Sequence, residues 1–187
     1  MVHSMDQESQ RPAFTESAMP SDLHIRAAVP ADASSIAAIY APHVLHGTVS
    51  FEVEPPSAED ILRRRAAILE AGLPYLVVEI SGAIVGYAYA SRFRPRPAYR
   101  FTVENSVYVS EQYQRRGIAR LLMQELIQQC MQSGIREMIA VIATPATSTA
   151  SVALHRSLGF HEAGVLLGVG EKFGEPLDVL MMQKSLR

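Results

Sequence analysis

The stretch that decides the fold runs Gln114-Arg115-Arg116-Gly117-Ile118-Ala119, between a strand-like segment and a helix-like one. Residues 104–109 (ENSVYV) alternate as a strand does, whereas residues 118–132 carry apolar side chains at a spacing of four, as a core-facing helix does. A glycine-containing turn at such a junction leaves backbone N–H groups unpaired at the positive end of the helix macrodipole. Because these groups bind anions and the neighbouring arginines add charge, we expect the turn to hold a phosphate or pyrophosphate.

The composition of the turn excludes two familiar phosphate loops. The Gly-Lys-Ser/Thr sequence of a Walker loop is absent, and so is the three-glycine spacing of a dinucleotide-binding fingerprint. On these six residues alone, an ordinary turn with solvated arginines is an equal alternative.

The form Gln-x-x-Gly-x-Ala resembles the pyrophosphate loop of the GCN5-related N-acetyltransferase (GNAT) superfamily, whose members bind acetyl-CoA. From about Leu23 to the C-terminus the chain is similar to one branch, the phosphinothricin and methionine sulfone/sulfoximine N-acetyltransferases. The segments that carry this resemblance are residues 86–90 (GYAYA), 93–100 (FRPRPAYR), 103–109 (VENSVYV), 154–160 (LHRSLGF), 172–174 (KFG) and 177–179 (LDV).

Composition and length indicate one globular domain. The 187 residues are 48% hydrophobic, with a net charge of −2, so no basic excess points to nucleic acid. No apolar run approaches the roughly 20 residues of a membrane span, and the single Cys130 fits a reducing cytoplasm. We expect residues 1–22, which are polar and contain proline, to form a disordered tail, and residues 23–187 to form a single domain.

The apolar patterns predict an α/β (α+β) fold with a mixed sheet. The resemblance implies a GNAT fold, in which a sheet of about six to seven strands is splayed at the acetyl-CoA site and flanked by about four helices. The expected strands are 23–26, 75–80, 84–92, 101–109, 138–143, 165–167 and 177–182. The expected helices start near Pro30, Ser57, Ile118 and Ser148 or Thr149.

Glu104 is the first candidate for the catalytic base. A carboxylate among Val103, Val107 and aromatic residues on a central strand is costly to bury, and burial would raise its pKa into a useful range. The resemblance places the catalytic carboxylate at this position, whereas a surface glutamate at a strand end is the alternative. His155 is the second candidate, because the resemblance places here the group that protonates the leaving thiolate. A structural histidine is its alternative.

The resemblance implies that one strand and one loop bind the cofactor. Three strand residues would pair with the pantetheine amides, the loop would take the pyrophosphate, and Ser148 replaces an asparagine that in many relatives bonds the cofactor. The expected cofactor residues are Val107, Tyr108, Val109, Gln114, Arg115, Arg116, Gly117, Ile118, Ala119, Ser148 and Ser157.

Two arginines suggest the nature of the acceptor. Arg94 and Arg96 lie in an Arg-Pro-Arg-Pro loop, where prolines restrict the backbone and guanidinium groups can grip a carboxylate. A solubilising loop is the alternative, as hairpin surface charge is for Lys172. The expected acceptor residues, several of them implied by the resemblance, are Phe51, Glu52, Arg94, Arg96, Glu104, Asn105, Ser106 and Lys172.

The sequence is therefore interpreted as an enzyme that transfers acetyl from acetyl-CoA to the α-amine of a small amino acid such as phosphinothricin, methionine sulfone or methionine sulfoximine. The resemblance further implies a homodimer and a detoxification or resistance role. Alternatives are the same chemistry on a polyamine or a peptide N-terminus, and a non-catalytic acyl-CoA-binding module. No metal-ligand pattern is present, since His43 and His46 have no accompanying ligands. The physiological acceptor and the acyl-chain range stay open.

Overall fold

A computed structural model describes residues 22–144 and 149–187. The expected N-terminal tail, apart from its last residue, lies outside this range, and so does Ser148. The helices are α1 (Ala33–Leu45), α2 (Ala58–Glu70), α3 (Ile118–Gln132) and α4 (Thr149–Ser157). The strands are β1 (His24–Ala27), β2 (Tyr75–Ile80), β3 (Ala83–Arg92), β4 (Thr102–Val109), β5 (Glu137–Thr144), β6 (His161–Lys172) and β7 (Glu175–Ser185).

In the described residues the seven strands form one sheet in the order β1-β2-β3-β4-β5-β7-β6. Neighbouring strands are antiparallel except β4 and β5, which are parallel. The parallel pair is joined through α3, as a crossover connection requires. The expected mixed sheet of the GNAT fold is thus confirmed, with the strand bounds differing by a residue or so except in the last hairpin.

The two central strands separate soon after they meet. β4 and β5 pair only over Thr102–Glu104 and Glu137–Ile139, whereas β4 continues to Val109 and β5 to Thr144. Beyond Glu104 the β5-facing edge of β4 therefore has no strand partner, and a gap opens in the middle of the sheet.

Side chains of β4 alternate between two layers of the protein, as in any strand. Asn105 faces α3, since its amide lies 3.6 Å from the Met123 sulfur. Tyr108 faces the opposite layer, where its ring packs edge-on against Tyr40 of α1 at a centroid distance of 4.8 Å. By the same alternation Glu104 and Ser106 lie on the Tyr108 face. This face of β4 therefore carries a carboxylate and hydroxyl groups, whereas the face toward α3 carries the Asn105 amide.

The closing hairpin is longer than expected. The sequence predicted strands only at 165–167 and 177–182, but β6 and β7 extend over 12 and 11 residues. Glycines and charges interrupt the apolar alternation, and the register shifts on both sides of Leu166 show that the extra residues form bulges while the pairing continues.

The arginine run in α2 is only partly a solvated face. Arg63 is exposed, but Arg64 forms an ion pair with Glu52 and the Arg65 side chain donates to the Ala28 carbonyl oxygen. A run of three arginines in a helix would by itself indicate a solvated face, but the partners of Arg64 and Arg65 lie 12 and 37 residues away in the sequence. In the described part of the chain, no helix is long and apolar enough to cross a membrane.

Candidate active site

The gap between β4 and β5 opens into a cleft of about 920 Å³. Its walls come from both strands, the N-terminus of α3, α4, and a segment after α1 that we call the acceptor-side loop (residues 48–53). Most of the expected site residues line this cleft: Phe51, Glu52, Glu104, Asn105, Ser106, Val107, Tyr108, Val109, Gln114, Arg115, Gly117, Ile118, Ala119 and His155.

The turn before α3 has the geometry of an anion site. Arg115 and Gly117 both adopt left-handed backbone angles, with φ of 59° and 79°, and Gly117 is the N-cap of a 15-residue helix. The free N–H groups of the first helical turn therefore open onto the cleft with the positive end of the helix dipole behind them. This arrangement fits a pyrophosphate.

Two further cofactor candidates lie outside the cleft wall. Arg116 is exposed, with its guanidinium 5.3 Å from the centre of the Tyr113 ring. Ser157 is also exposed, and its hydroxyl accepts a hydrogen bond of 2.9 Å from Arg120, which does line the cleft. Ser157 is thus linked to the cleft only through Arg120.

The open edge of β4 can pair with an extended amide chain. The Ser110 N–H donates to the Val85 carbonyl oxygen on the β3 side. Because successive N–H groups of a strand point to opposite edges, the Val109 N–H points into the cleft. The Val109 carbonyl oxygen accepts a hydrogen bond of 3.2 Å from the Gln114 side chain, which ties the end of β4 to the phosphate turn. These groups fit the pantetheine arm of CoA.

Glu104 lies in the cleft on the face shared with Ser106 and Tyr108. Burial raises the pKa of the Glu104 carboxyl above its ordinary value, and the charge of Arg94 partly opposes that rise. A carboxylate whose pKa is raised, in a cleft large enough for two reactants, is suited to accept a proton from an amine.

His155 is buried and both of its ring nitrogens are engaged. Nδ1 lies 2.8 Å from the Ser151 carbonyl oxygen and must carry the proton, so Nε2 accepts from the Asn105 side-chain amide at 2.9 Å. Burial lowers the pKa of His155 below its ordinary value. With these partners the imidazole is neutral and its Nδ1 proton is directed at Ser151, so the role of His155 in protonating the leaving thiolate stays a prediction.

The acceptor-side loop is held by a closed set of hydrogen bonds. The Ser50 hydroxyl is 2.5 Å from the Tyr40 hydroxyl, Tyr40 donates to Glu52 at 3.1 Å, and the Glu52 N–H donates back to Ser50 at 3.1 Å. Arg64 grips the Glu52 carboxylate with two bonds of 2.7 and 2.9 Å and lowers its pKa. The Glu52 carboxylate is therefore ionised, and hydrogen bonds from Arg64 and Tyr40 hold it in the wall of the cleft.

Three expected acceptor residues do not line the cleft in the described structure. Arg94 and Arg96 are exposed on the loop after β3, although Arg94 is close enough to act on the pKa of Glu104. Lys172 is 4% exposed, and its ammonium donates to the Ser50 carbonyl oxygen at 2.7 Å. The alternative of a hairpin surface charge is thus wrong for Lys172.

Sequence reasoning missed four aromatic side chains of the cleft, namely Tyr40, His43, Tyr89 and Tyr113. In the sequence, Tyr40 fits an apolar helix stripe with Ile36 and Ile39, and His43 is considered only as a metal ligand. His43 lies 5.3 Å from the Tyr108 ring, and burial lowers its pKa. Alternation puts Tyr89 on the same face as Tyr87, but nothing in the sequence says that this face meets the cleft.

Among the described residues there is no group of three or more His, Cys, Asp or Glu side chains that could hold a metal ion.

Comparison with known proteins identifies the family. Residues 39–160 match the model of the Acetyltransferase (GNAT) family. The chain is 47% identical over 155 residues to a phosphinothricin N-acetyltransferase of Alcaligenes faecalis, which covers 83% of this chain and 78% of that protein. It is 36% identical over 164 residues to an L-methionine sulfoximine/L-methionine sulfone acetyltransferase of Salmonella typhimurium, covering 88% and 95% of the two chains.

A solved structure has the same fold. The GNAT superfamily phosphinothricin acetyltransferase from Sinorhizobium meliloti, in complex with acetyl-CoA, superposes with a TM-score of 0.83 at 43% identity, covering 88% of each chain. The match to the family model spans more than half of the chain, so the chain belongs to the GNAT family. It is an acetyl-CoA-dependent N-acetyltransferase, and acetyl-CoA supplies the acetyl group as a thioester.

Proposed function

We propose that this enzyme acetylates the α-amino group of a small amino acid of the phosphinothricin, methionine sulfone or methionine sulfoximine type. The observation that carries the proposal is Glu104, a cleft carboxylate whose pKa is raised by burial and which lies beside the open edge of β4. Relatives named for these acceptors support the choice. A detoxification or resistance role follows if such a compound is the physiological acceptor.

In this proposal Glu104 takes the proton from the acceptor ammonium, either directly or through a water. The Val109 N–H, which points into the cleft, stabilises negative charge on the acyl oxygen. Arg94 and Arg96 do not line the cleft, but from the loop after β3 their charge attracts the acceptor carboxylate towards Glu104. Their positive charge disfavours a polyamine, which is the second enzymatic candidate.

The first experiment measures CoA release from acetyl-CoA with phosphinothricin, methionine sulfone, methionine sulfoximine, spermidine and a short peptide. Release only with the carboxylate-bearing small amines is the expected result. Turnover of spermidine alone would overturn the acceptor assignment. Tight CoA binding without release for any amine would instead favour a non-catalytic acyl-CoA-binding module.

The Glu104→Gln variant tests the base. Because a positioned general base contributes about 10²- to 10⁴-fold, kcat should fall by that factor while the Kd for acetyl-CoA stays within about twofold. Glu70→Gln, at an exposed site at the end of α2, is the matched control and should behave as wild type. Unchanged kcat in Glu104→Gln would remove Glu104 from the mechanism.

We also propose a homodimer that forms through β6. This strand lies at the edge of the sheet and exposes a row of apolar side chains. Its exposed apolar residues are Val165, Leu166, Leu167, Val169 and, just beyond the strand, Phe173. An edge strand of this kind is a template for pairing with a second copy.

A further inference from the structure

The charged side chain of Lys172 is buried inside the protein and does not line the cleft. It is 4% exposed, and its ammonium donates to the Ser50 carbonyl oxygen at 2.7 Å across 122 residues of sequence. Burial lowers the pKa of Lys172, while the nearby Glu52 carboxylate partly opposes this. The ammonium also lies 5.3 Å from the centre of the Phe173 ring, so the Ser50 carbonyl, this ring and the charge of Glu52 together hold the cation in place.

Ser50, whose carbonyl oxygen accepts the hydrogen bond from Lys172, belongs to the wall that faces the acceptor. Ser50 shares the closed hydrogen-bond set with Tyr40 and Glu52, and all three residues line the cleft. A movement of the Ser50 carbonyl oxygen would therefore shift the Tyr40 hydroxyl and the Glu52 carboxylate as well.

The same strand contacts the loop at a second point. Gly170 lies two residues before Lys172 on β6, and any side chain at this position would collide with the Phe51 ring. Only glycine lets the ring lie there. β6 thus holds the acceptor-side loop by the Phe51 ring at Gly170 and by the Ser50 carbonyl at Lys172.

We propose that Lys172 is a positioning residue that ties the acceptor-side loop to the C-terminal hairpin and thereby sets the affinity for the acceptor without touching it. This inference rests on the proposed function, because it assigns a specificity role within the same site. The phosphate turn and the open edge of β4 lie on other elements, so acetyl-CoA binding is independent of this tie.

Steady-state kinetics of Lys172→Met test the proposal, with Lys184→Met on β7 as the matched control. Losing a buried hydrogen bond to a charged donor should raise KM for the acceptor by about tenfold or more. We expect kcat at saturating acceptor and the Kd for acetyl-CoA to change by less than about twofold. Lys172→Arg keeps a donor and should recover part of the loss. A fall in kcat with KM unchanged, or a parallel loss of acetyl-CoA affinity, would overturn the proposal.

Gly170→Ala provides a second variant that leaves the lysine in place. The added methyl displaces the Phe51 ring and should give the same rise in KM with acetyl-CoA binding retained. Unchanged KM in both Gly170→Ala and Lys172→Met would refute the role of the hairpin.

Hydrogen exchange separates this inference from the proposed function. The Glu52 amide, protected by the Ser50 hydroxyl, should exchange faster in Lys172→Met, while the Leu121 amide at the start of α3 should not change. If wild type acetylates no amine of the panel, the proposed function fails, yet this exchange still reports on the tie. Equal exchange of the Glu52 amide in wild type and Lys172→Met would refute the tie itself.

Discussion

At the scale of single residues, the structure gives different surroundings to Glu104 and His155. The sequence had proposed both of these titratable residues as catalytic candidates. Glu104 is free to exchange a proton, whereas His155 is held as a neutral imidazole between Ser151 and Asn105. The difference arises from their partners. Both residues line the cleft, but Glu104 lies on the Tyr108 face of β4, whereas His155 is bonded to Asn105 on the face toward α3.

The pH dependence of turnover should report Glu104. Since the base must be ionised and burial raises its pKa, kcat/KM should fall as the pH drops through that raised value. Arg94 favours the ionised form, so Arg94→Met should raise the pKa further and move the acid limb to higher pH. Arg96→Met should leave the limb in place. The test is a pH profile of kcat/KM for wild type, Arg94→Met and Arg96→Met. An acid limb at the same pH in wild type and Arg94→Met would contradict the effect of Arg94 on Glu104.

A His155→Gln variant should keep most of its turnover. Since burial lowers the pKa of His155 and both ring nitrogens have protein partners, we expect kcat to stay within about tenfold of wild type. The melting temperature and the Kd for acetyl-CoA must be measured alongside, because the substitution disturbs a buried hydrogen bond. A loss of more than about a hundredfold in kcat, in a folded variant that binds acetyl-CoA, would restore the acid role.

At the scale of elements, the β4–turn–α3 unit forms the part of the cleft to which we assign cofactor binding. Its strand, its glycine turn and its helix are local features, and the structure confirms β4 at 102–109 and α3 at 118–132. The gap beside β4 is not local, because it depends on where β5 stops pairing. The pattern of residues 101–109 therefore predicted a strand but not its open edge.

Gly117→Ala and Gly134→Ala form a matched pair on the two ends of α3. Both glycines have a left-handed backbone, with φ of 79° and 77°, so each substitution should cost about 1–2 kcal/mol of stability. Only Gly117→Ala distorts the phosphate turn, and only it should weaken acetyl-CoA binding, by about tenfold. Calorimetric titration with acetyl-CoA, together with thermal melts, measures both effects. Equal loss of affinity in the two variants would mean that the turn does not bind the pyrophosphate.

At the scale of the whole molecule, the C-terminal hairpin joins the edge of the sheet to the acceptor-side loop. β6 presents an exposed apolar row on the outside and holds Ser50 and Phe51 on the inside. If a second copy pairs with β6, the acceptor wall and the dimer surface share one strand. Assembly and acceptor affinity should then change together.

Leu167→Lys tests this coupling. Leu167 is 77% exposed on β6, and a charge there should oppose pairing and give a monomer in light scattering. Met131→Lys, at an exposed apolar site on α3, is the control and should stay dimeric. We expect KM for the acceptor to rise in Leu167→Lys and the Kd for acetyl-CoA to stay constant. A wild-type monomer would refute the homodimer, and a monomeric Leu167→Lys with unchanged KM would refute the coupling.

The sequence by itself determined the features that depend on neighbouring residues: most strands and helices, the glycine turn before α3, and Glu104 as a carboxylate on an apolar strand. These follow from periodicity and backbone conformation, which act over a few residues. The tertiary structure alone decided the neutral state of His155, the pairing of Arg64 with Glu52, and the burial of Lys172 against Ser50. Each of these depends on partners 12 to 122 residues apart, because hydrogen bonding and desolvation act on whatever groups the fold brings together.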